Sequence, residues 1–420
     1  MRLFTFLFLL LFVGNIQAQN SPETAQKEVE NMVLSSDSIV RRYLIESGIQ
    51  ITENNKVKLL KSGTEKFNDL FLTIEQARHH IHMEYFNFRN DSIANLLFEI
   101  LARKAAEGVE VRLMFDAFGN SSNNKPLTKK HLKAIRKTGI RIVKFDPIRF
   151  PYINHVFHRD HRKIVVIDGH IGYTGGMNIA DYYIEGLPEI GDWRDMHVRL
   201  EGDAVHDLQK IFLAMWKKET KEVIEGEAYY PQLQADAGGK SVAIVDRWAR
   251  KSPKQMRRTL AKSIHAAQRK VQIINPYFVP TKSIKKEIRK ALERKVDVEI
   301  MISSKSDIPF TPEASFYISH KLMKKGAEVY MYDNGFHHSK IMMIDETFCT
   351  VGSTNLNSRS LRYDYETNAF IFDKETTRQL IDMFEEDKEA STPMTEEGWK
   401  KRSKWKRFAG WFAYLFTPFI

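Results

Sequence analysis

His161 and Lys163 stand two residues apart at the head of an apolar run, Ile164 to Ile167, that ends at Asp168. The same phrase returns 177 residues further on as His338, Lys340, Ile341 to Ile344 and Asp345. Downstream, Gly175-Gly176-Met177-Asn178 is matched at the same offset by Gly352-Ser353-Thr354-Asn355. A histidine, a lysine, an aspartate and an asparagine recurring in register point to an internal duplication, and so to one active site made from two halves. An apolar run bounded by polar residues reads as a buried strand, and residues i and i+2 of a strand share a face. The imidazole and ammonium of each copy therefore point the same way. Asp168-Gly169 and Asp345-Glu346 read as tight turns that send the chain back, bringing Asn178 near His161 and Asn355 near His338.

Two such halves facing each other offer two imidazoles, two positive charges and two amides. The lysines and asparagines make a cage of donors suited to a phosphate and to the extra charge of its transition state. Two imidazoles allow a nucleophile and a general acid on opposite sides of one phosphorus, with a phosphohistidine between the half-reactions. No metal or other cofactor is expected, because the lysines supply the positive charge. The expected catalytic set is His161, Lys163, Asp168, His338, Lys340 and Asp345, with the two aspartates read as turn or supporting residues. Asn178, Asn355, Ser353 and Gly176 are the expected substrate-binding positions.

These residues resemble the signature of the phospholipase D superfamily, His-x-Lys-(x)4-Asp followed by Gly-Gly/Ser-x-Asn. The segments Tyr173 to Asp181, Trp193 to Gly202, Pro276 to Pro280, Gly352 to Leu361 and Tyr365 to Asn368 are similar to bacterial cardiolipin synthases, and the resemblance spans roughly residues 55–420. It implies transfer of a phosphatidyl group from one phosphatidylglycerol to the hydroxyl of another, giving cardiolipin and glycerol. Hydrolysis of phospholipid to phosphatidic acid is the nearest alternative on the same site, and a phosphodiester nuclease the next. The resemblance makes His161 the nucleophile and His338 the acid/base, an order the residues alone leave open. It puts Glu366 at the family's acidic position, orienting one imidazole through its other nitrogen; Asp195 is expected to do the same for the other half. A buried structural ion pair is the alternative for both. Two departures stand out. Many members begin with two transmembrane helices, and Asp364 stands where the family commonly has asparagine.

Strands and helices must alternate to position these groups. Strands are expected at His82 to Phe88, Val109 to Phe115 and Ile140 to Phe145, with helices at Ser92 to Glu107 and Leu127 to Thr138. The second copy repeats the order: strands at Val271 to Asn275, Val296 to Ile302 and Ala327 to Tyr332, helices at Lys282 to Lys295 and Ala314 to Lys325. The fold class is thus α/β, with two tandem repeats, each a mixed sheet flanked by helices, related by a pseudo-twofold and sharing one site. The expected limits are a linker or helical cap at 19–55, repeats at 56–225 and 241–395, and a boundary from Glu225 to Lys240 marked by Pro231 and Ala237-Gly238-Gly239. Both half-sites lie in one chain, so a monomer suffices.

The formal net charge of +11 favours anionic partners. Phosphatidylglycerol and a membrane surface are expected, nucleic acid is not. Met1-Arg2 and the apolar run Leu3 to Val13 lead to Ala18, the layout of a secretory signal, with a short anchor as the alternative. Cleavage would place the enzyme on the periplasmic side of the inner membrane. His79, His80 and His82 read as a solvated junction and not a metal site, and His155 and His158 as loop positions at the mouth of the site. Cys349 is a single thiol, expected to be buried. In the tail at 400–420, Lys400, Lys401, Arg402, Lys404, Lys406 and Arg407 surround Trp405. Trp405, Phe408, Phe412, Leu415 and Phe419 then share one helix face. Basic residues followed by aromatics suit an interfacial membrane helix; a helix docked on the protein's own core is the alternative.

Overall fold

Each repeat lays its strands in the same spatial order. The first contains β1 (Thr52–Leu60), β2 (His80–Tyr85), β3 (Glu110–Asp116), β4 (Arg141–Phe145), β5 (Ile164–Ile167), β6 (Ile171–Gly175), the short β7 (Trp193–Arg194) and β8 (His197–Gly202). The second contains β9 (Lys240–Arg247), β10 (Lys270–Ile274), β11 (Asp297–Ser303), β12 (Glu328–Tyr332), the short β13 (Phe336–His337), β14 (Ile341–Ile344), β15 (Phe348–Gly352), β16 (Glu366–Phe372) and β17 (Ser391–Pro393). These come from a computed structural model that describes residues 34–147, 157–232, 238–308 and 311–416.

The order β4-β3-β2-β5-β6-β8-β1 is mirrored by β12-β11-β10-β14-β15-β16-β9. In each repeat the three strands joined through helices run parallel, and the other strands of this order pair antiparallel. β1 pairs antiparallel with β9, Thr52 opposite Val242, so the half-sheets fuse into one sheet of fifteen strands among the described residues. The pseudo-twofold passes through that seam.

The apolar runs are continuous because both faces of the sheet are covered. In β5, Val165 and Ile167 face the core of the first repeat, while Ile164 and Val166 face a core that both repeats share. In β14, Met342 and Ile344 belong to the second repeat's core, and Ile341 and Met343 to the shared one. Helices Ala204–Thr220 and Lys374–Glu389 supply the shared core's cover through Leu208 and Leu380. Helix Ser92–Ala106 ends within one residue of the expected position, and Asp91 caps its start through Ala94 N. Cys349 is buried as expected.

Some expectations change. β1 begins at Thr52, so the last residues of the expected cap are sheet; before them lies helix Ser36–Glu46. His80 and His82 are fully buried and not solvated. Gln209 bridges them, its Oε1 accepting from His82 Nδ1 (3.0 Å) and its Nε2 donating to His80 Nε2 (3.1 Å). His82 also stacks on Phe212. Burial, with His79's charge, pushes His80 down to about 3, so these are neutral core imidazoles. The expected signal at 1–18, His155, Ala237 and Phe419 lie outside the described residues.

Candidate active site

The repeats exchange their catalytic supports. The backbone N–H of His161 donates to Tyr365 O (3.0 Å), and its Nδ1 donates to Glu366 Oε1 (3.1 Å), at the head of β16 in the other repeat. The backbone N–H of His338 donates to Arg194 O (2.7 Å), and its Nδ1 donates to Asp195 Oδ2 (2.7 Å), just after β7 in the first repeat. The short parallel pair β7–β13, Trp193 opposite Phe336, fixes the second of these crossings, and the bridge of Asp160 to Tyr365 fixes the first. A proton on Nδ1 facing a carboxylate leaves Nε2 of each ring as the working nitrogen. Phe86 flanks the His161 ring at 5.1 Å, and Trp193 and Phe336 flank His338 at 5.4 Å each.

Electrostatics bind the halves further. Lys163 and Lys340 are almost fully buried. Burial drives the Lys163 ammonium down to about 7; Lys340's charge pushes the same way, and Glu366 and Asp195 oppose it. Burial drives Lys340 down to about 8 against Asp195, Glu366 and Asp307. Burial, then the Lys340 charge, lower His338 to about 3 despite Asp195. Both carboxylates overcome their own burial and stay below the usual range: Glu366 through His161, Lys163 and Ser353, Asp195 through Lys340 and His338. The site holds more cation than it can comfortably bury, which is the condition for capturing an anion.

That condition has a measurable consequence. Unfolded lysines keep their protons to about 10.5, while folded Lys163 and Lys340 release theirs near 7 and 8. Between those limits the folded state binds fewer protons, so these groups make stability rise as pH climbs from about 7 towards 10. Below 7 a bound dianion offsets the buried charge; above 8 it must first recruit protons. Millimolar sulfate is therefore expected to raise the Tm more at pH 6 than at pH 9 in thermal melts. Equal gains at both would contradict the charge state assigned to the pair.

The structure gives several expected site residues another task. Asp168 accepts from the backbone N–H groups of Arg78, His79 and His80 (2.8, 2.8 and 2.9 Å), and Asp345 from those of Gln268, Arg269 and Lys270 (2.7, 2.7 and 2.8 Å). Each sits at the far end of its strand, roughly 16 Å along the chain from its lysine, and ties down the loop entering β2 or β10. Neither reaches the imidazoles. Gly176 and Ser353, expected to bind substrate, instead support the carboxylates. A Cβ on Gly176 would lie 2.1 Å from Asp195 Oδ1, so only glycine lets that carboxylate in. The hydroxyl of Ser353 donates to Glu366 Oε2. Their backbone N–H groups are also taken, by Met196 O and Thr367 O. Asn178 and Asn355 are buried, and their amide oxygens have no partner among the described residues, leaving two acceptors open. Asp364, the departure from the family pattern, pairs with Arg359 at 3.3 Å and accepts from Arg159 N (3.4 Å) beneath the segment leading to His161. His158 Nδ1 lies 2.9 Å from Tyr363 O, in the same segment.

Sequence reasoning missed three supports. Arg162, between His161 and Lys163, forks onto Asp246 of β9 with two bonds of 2.8 Å and staples the first half-site to the second repeat. The fully buried Lys66, on helix Gly63–Glu75, donates to Met177 O (3.2 Å) and Asn178 O (2.8 Å). His197 receives Met177 N at 3.3 Å. The signal for Lys66 was present: Leu70 and Ile74 of its helix match Leu260 and Ile264 of helix Gln255–Ala266, which puts Met256 at the equivalent place. One half-site thus has a buried cation where the other has a thioether. Burial holds the Lys66 ammonium well below its usual range, with Lys163 adding repulsion and Asp195 opposing. Lys66→Met is expected to keep the fold and lower kcat/KM roughly tenfold to a hundredfold, because the backbone of Met177 and Asn178 loses the buried donor that holds Asn178 in place. An unchanged kcat/KM would reduce Lys66 to packing.

Comparison with known proteins agrees with this geometry. The family model described as "Cardiolipin synthase, PLD-like domain" matches residues 70–216 and 260–388. The cardiolipin synthase of Listeria monocytogenes is 36% identical over 385 residues, covering 91% of this chain and 79% of that protein. That of Staphylococcus aureus is 34% identical over 391 residues, covering 92% and 78%. The crystal structure of phosphatidylserine synthase from Haemophilus influenzae superposes with a TM-score of 0.69 at 14% identity, over 91% of this chain and all of that one, and shows the same fold. With two in-register half-sites on a mirrored sheet and relatives of this identity, the chain belongs to the cardiolipin synthase family of phospholipase D-like proteins.

Proposed function

We propose that the protein is a phosphatidyltransferase that joins two phosphatidylglycerols into cardiolipin and glycerol. The observation that carries the reading is the cross-repeat pair, His161 on Glu366 and His338 on Asp195, with Lys163 and Lys340 beside them. In the first step Nε2 of His161 attacks phosphorus and the bond to the leaving glycerol oxygen breaks. His338 gives that oxygen its proton. In the second step His338 takes the proton of the incoming lipid hydroxyl, whose oxygen displaces His161 from phosphorus. The bound phosphodiester supplies the negative charge that offsets Lys340 and lets His338 hold its proton. Lys163 and Lys340 hold the phosphoryl oxygens, with Nδ2 of Asn178 and Asn355 donating to them. One chain carries the whole site, so a monomer is sufficient. The repeat limits at 56–225 and 241–395 are kept for this scheme, with the first extended back to β1.

Lipid mass spectrometry on phosphatidylglycerol vesicles incubated with the enzyme tests this reading. Cardiolipin and glycerol in equal amounts are expected. Phosphatidic acid alone would mean that water resolves the intermediate. No lipid turnover, with cleavage of a nucleic acid, would favour the nuclease alternative.

The tail supports work at a membrane surface. Helix Lys404–Leu415 packs through Gly410 and Ala413 onto helix Thr311–Met323, where a Cβ on Gly410 would meet Glu313 O at 2.7 Å. The small residues face the protein, so the aromatic face points away. Trp405 is 74% exposed, and Phe408, Phe412 and Leu415 are each about half exposed. A contiguous apolar face of this kind suits insertion among lipid headgroups. No helix among the described residues is long and apolar enough to cross a membrane. Removing residues 403–420 is expected to weaken vesicle binding at least tenfold while leaving turnover of a soluble phosphodiester within about twofold. Equal losses in both assays would mean that the helix serves the core instead.

A further inference from the structure

Beside the tail lies a cavity of about 830 Å³ between helix Lys282–Glu293 and helix Thr311–Met323. Lys285, Lys286, Arg289, Lys321, Lys324 and Lys325 line it. The nearby carboxylates have other close partners: Glu287 has His265 (3.0 Å) and Lys290 (3.9 Å), Glu396 has His320 (2.9 Å) with the Lys324 charge further off, and Glu313 has Arg402 (2.7 Å). None of the six cations forms an ion pair with a carboxylate among the described residues. For two of them aromatic rings take that place. Lys321 lies over Tyr317 (4.6 Å) and Tyr414 (5.0 Å), and Lys285 over Tyr414 (4.7 Å). Tyr414 belongs to the tail helix, so the cavity wall and the exposed aromatic face are parts of one element.

Like charges gathered around a concavity repel one another, and an anion that enters relieves the repulsion. A helix lying in the interface through Trp405, Phe408 and Phe412 holds this concavity at the level of the headgroups. The first repeat's corresponding helix, Lys129–Lys137, is also basic, yet among the described residues the tail does not pack against it, and there the second repeat alone joins cations to an apolar anchor. We infer that the cavity is a non-catalytic docking site for anionic phospholipid headgroups of the bilayer, which together with the tail fixes the enzyme on acidic membrane. The inference rests on the membrane reading of the tail, not on the transferase chemistry.

Flotation of the full chain with phosphatidylcholine vesicles, with and without phosphatidylserine, tests it while keeping the proposed substrate out of the active site. The variant is K286Q/R289Q/K324Q/K325Q; the control is K129Q/K130Q/K133Q/K137Q, which removes the same charge from the first repeat. Each basic group near an acidic surface contributes roughly fivefold to binding. The cavity variant is therefore expected to lose on the order of a few hundredfold in binding to phosphatidylserine vesicles. Its binding to pure phosphatidylcholine and its turnover of a soluble phosphodiester should be unchanged, and the control should lose far less. An equal loss in both variants would reduce the effect to bulk charge and overturn the site. So would wild-type vesicle binding by the cavity variant, or its selective loss of binding to duplex DNA. If tail removal leaves vesicle binding intact while the cavity variant abolishes it, the membrane reading of the tail fails separately from the cavity.

Discussion

His161→Ala and His338→Ala are each expected to lower turnover at least about ten-thousandfold while the chain keeps its fold. In the proposed mechanism one ring carries the phosphoryl group and the other moves the proton, so neither half-reaction would proceed without both. Because the residues act as one unit, the double variant should be scarcely slower than either single one. The fold survives because each carboxylate keeps other partners. Glu366 retains Ser353 and the nearby Lys163, and Asp195 retains Met196 N (2.7 Å) and Lys340. Neither is left as an isolated buried charge, the condition that makes such deletions unfold a protein. Kinetics on a soluble phosphodiester with far-UV circular dichroism in parallel measure both halves of the statement. Full activity in either variant would contradict a shared site.

Asp195→Asn and Glu366→Gln carry the second large effect. Each carboxylate accepts the Nδ1 proton and thereby sets which nitrogen is free. An amide can present its NH2 to Nδ1 instead, which moves the ring proton to Nε2 and removes the lone pair a nucleophile needs. The shapes are nearly unchanged, so any loss is electronic. A fall in kcat of about a hundredfold to ten-thousandfold is expected, with little change in Tm. These residues lie in the opposite repeat from the histidines they serve, so the losses would report the crossing itself. Gly176→Ala should imitate Asp195→Asn, because its Cβ would displace the Asp195 carboxylate. Near-normal turnover in both amide variants would turn the contacts into the structural ion pairs that were the alternative reading.

Much of this was legible in the residues, and the exceptions have physical reasons. The duplicated His-x-Lys phrase is local and in register, so its strands β5 and β14 and the turns after them could be read directly. The crossing of supports could not. Glu366 and Asp195 are distant in sequence from the histidines they hold, and only the family resemblance pointed to them. β1 escaped notice because its start, Thr52 to Asn55, is polar: Asn55 is buried, and its side chain donates to Thr52 O and Lys240 O at the seam, a task that periodicity does not reveal. His80 and His82 read as surface because histidine is polar, yet Gln209, more than a hundred residues away, satisfies both. Of the face that the tail's spacing put together, Trp405, Phe408, Phe412 and Leu415 are exposed. What the spacing did not show was that Gly410 and Ala413 form the docking face, so that the helix can rest on the protein and still present its aromatics outward.

Counting the covalent intermediate tests the central claim most directly. Enzyme mixed with phosphatidylglycerol labelled in its phosphate, quenched within one turnover and digested, should yield at most one labelled phosphatidyl group per chain, attached to histidine in the peptide containing His161. One equivalent there means that two half-sites make one active site. Two equivalents per chain, one on each of His161 and His338, would mean two independent sites. No histidine label during full turnover would contradict the phosphohistidine route altogether.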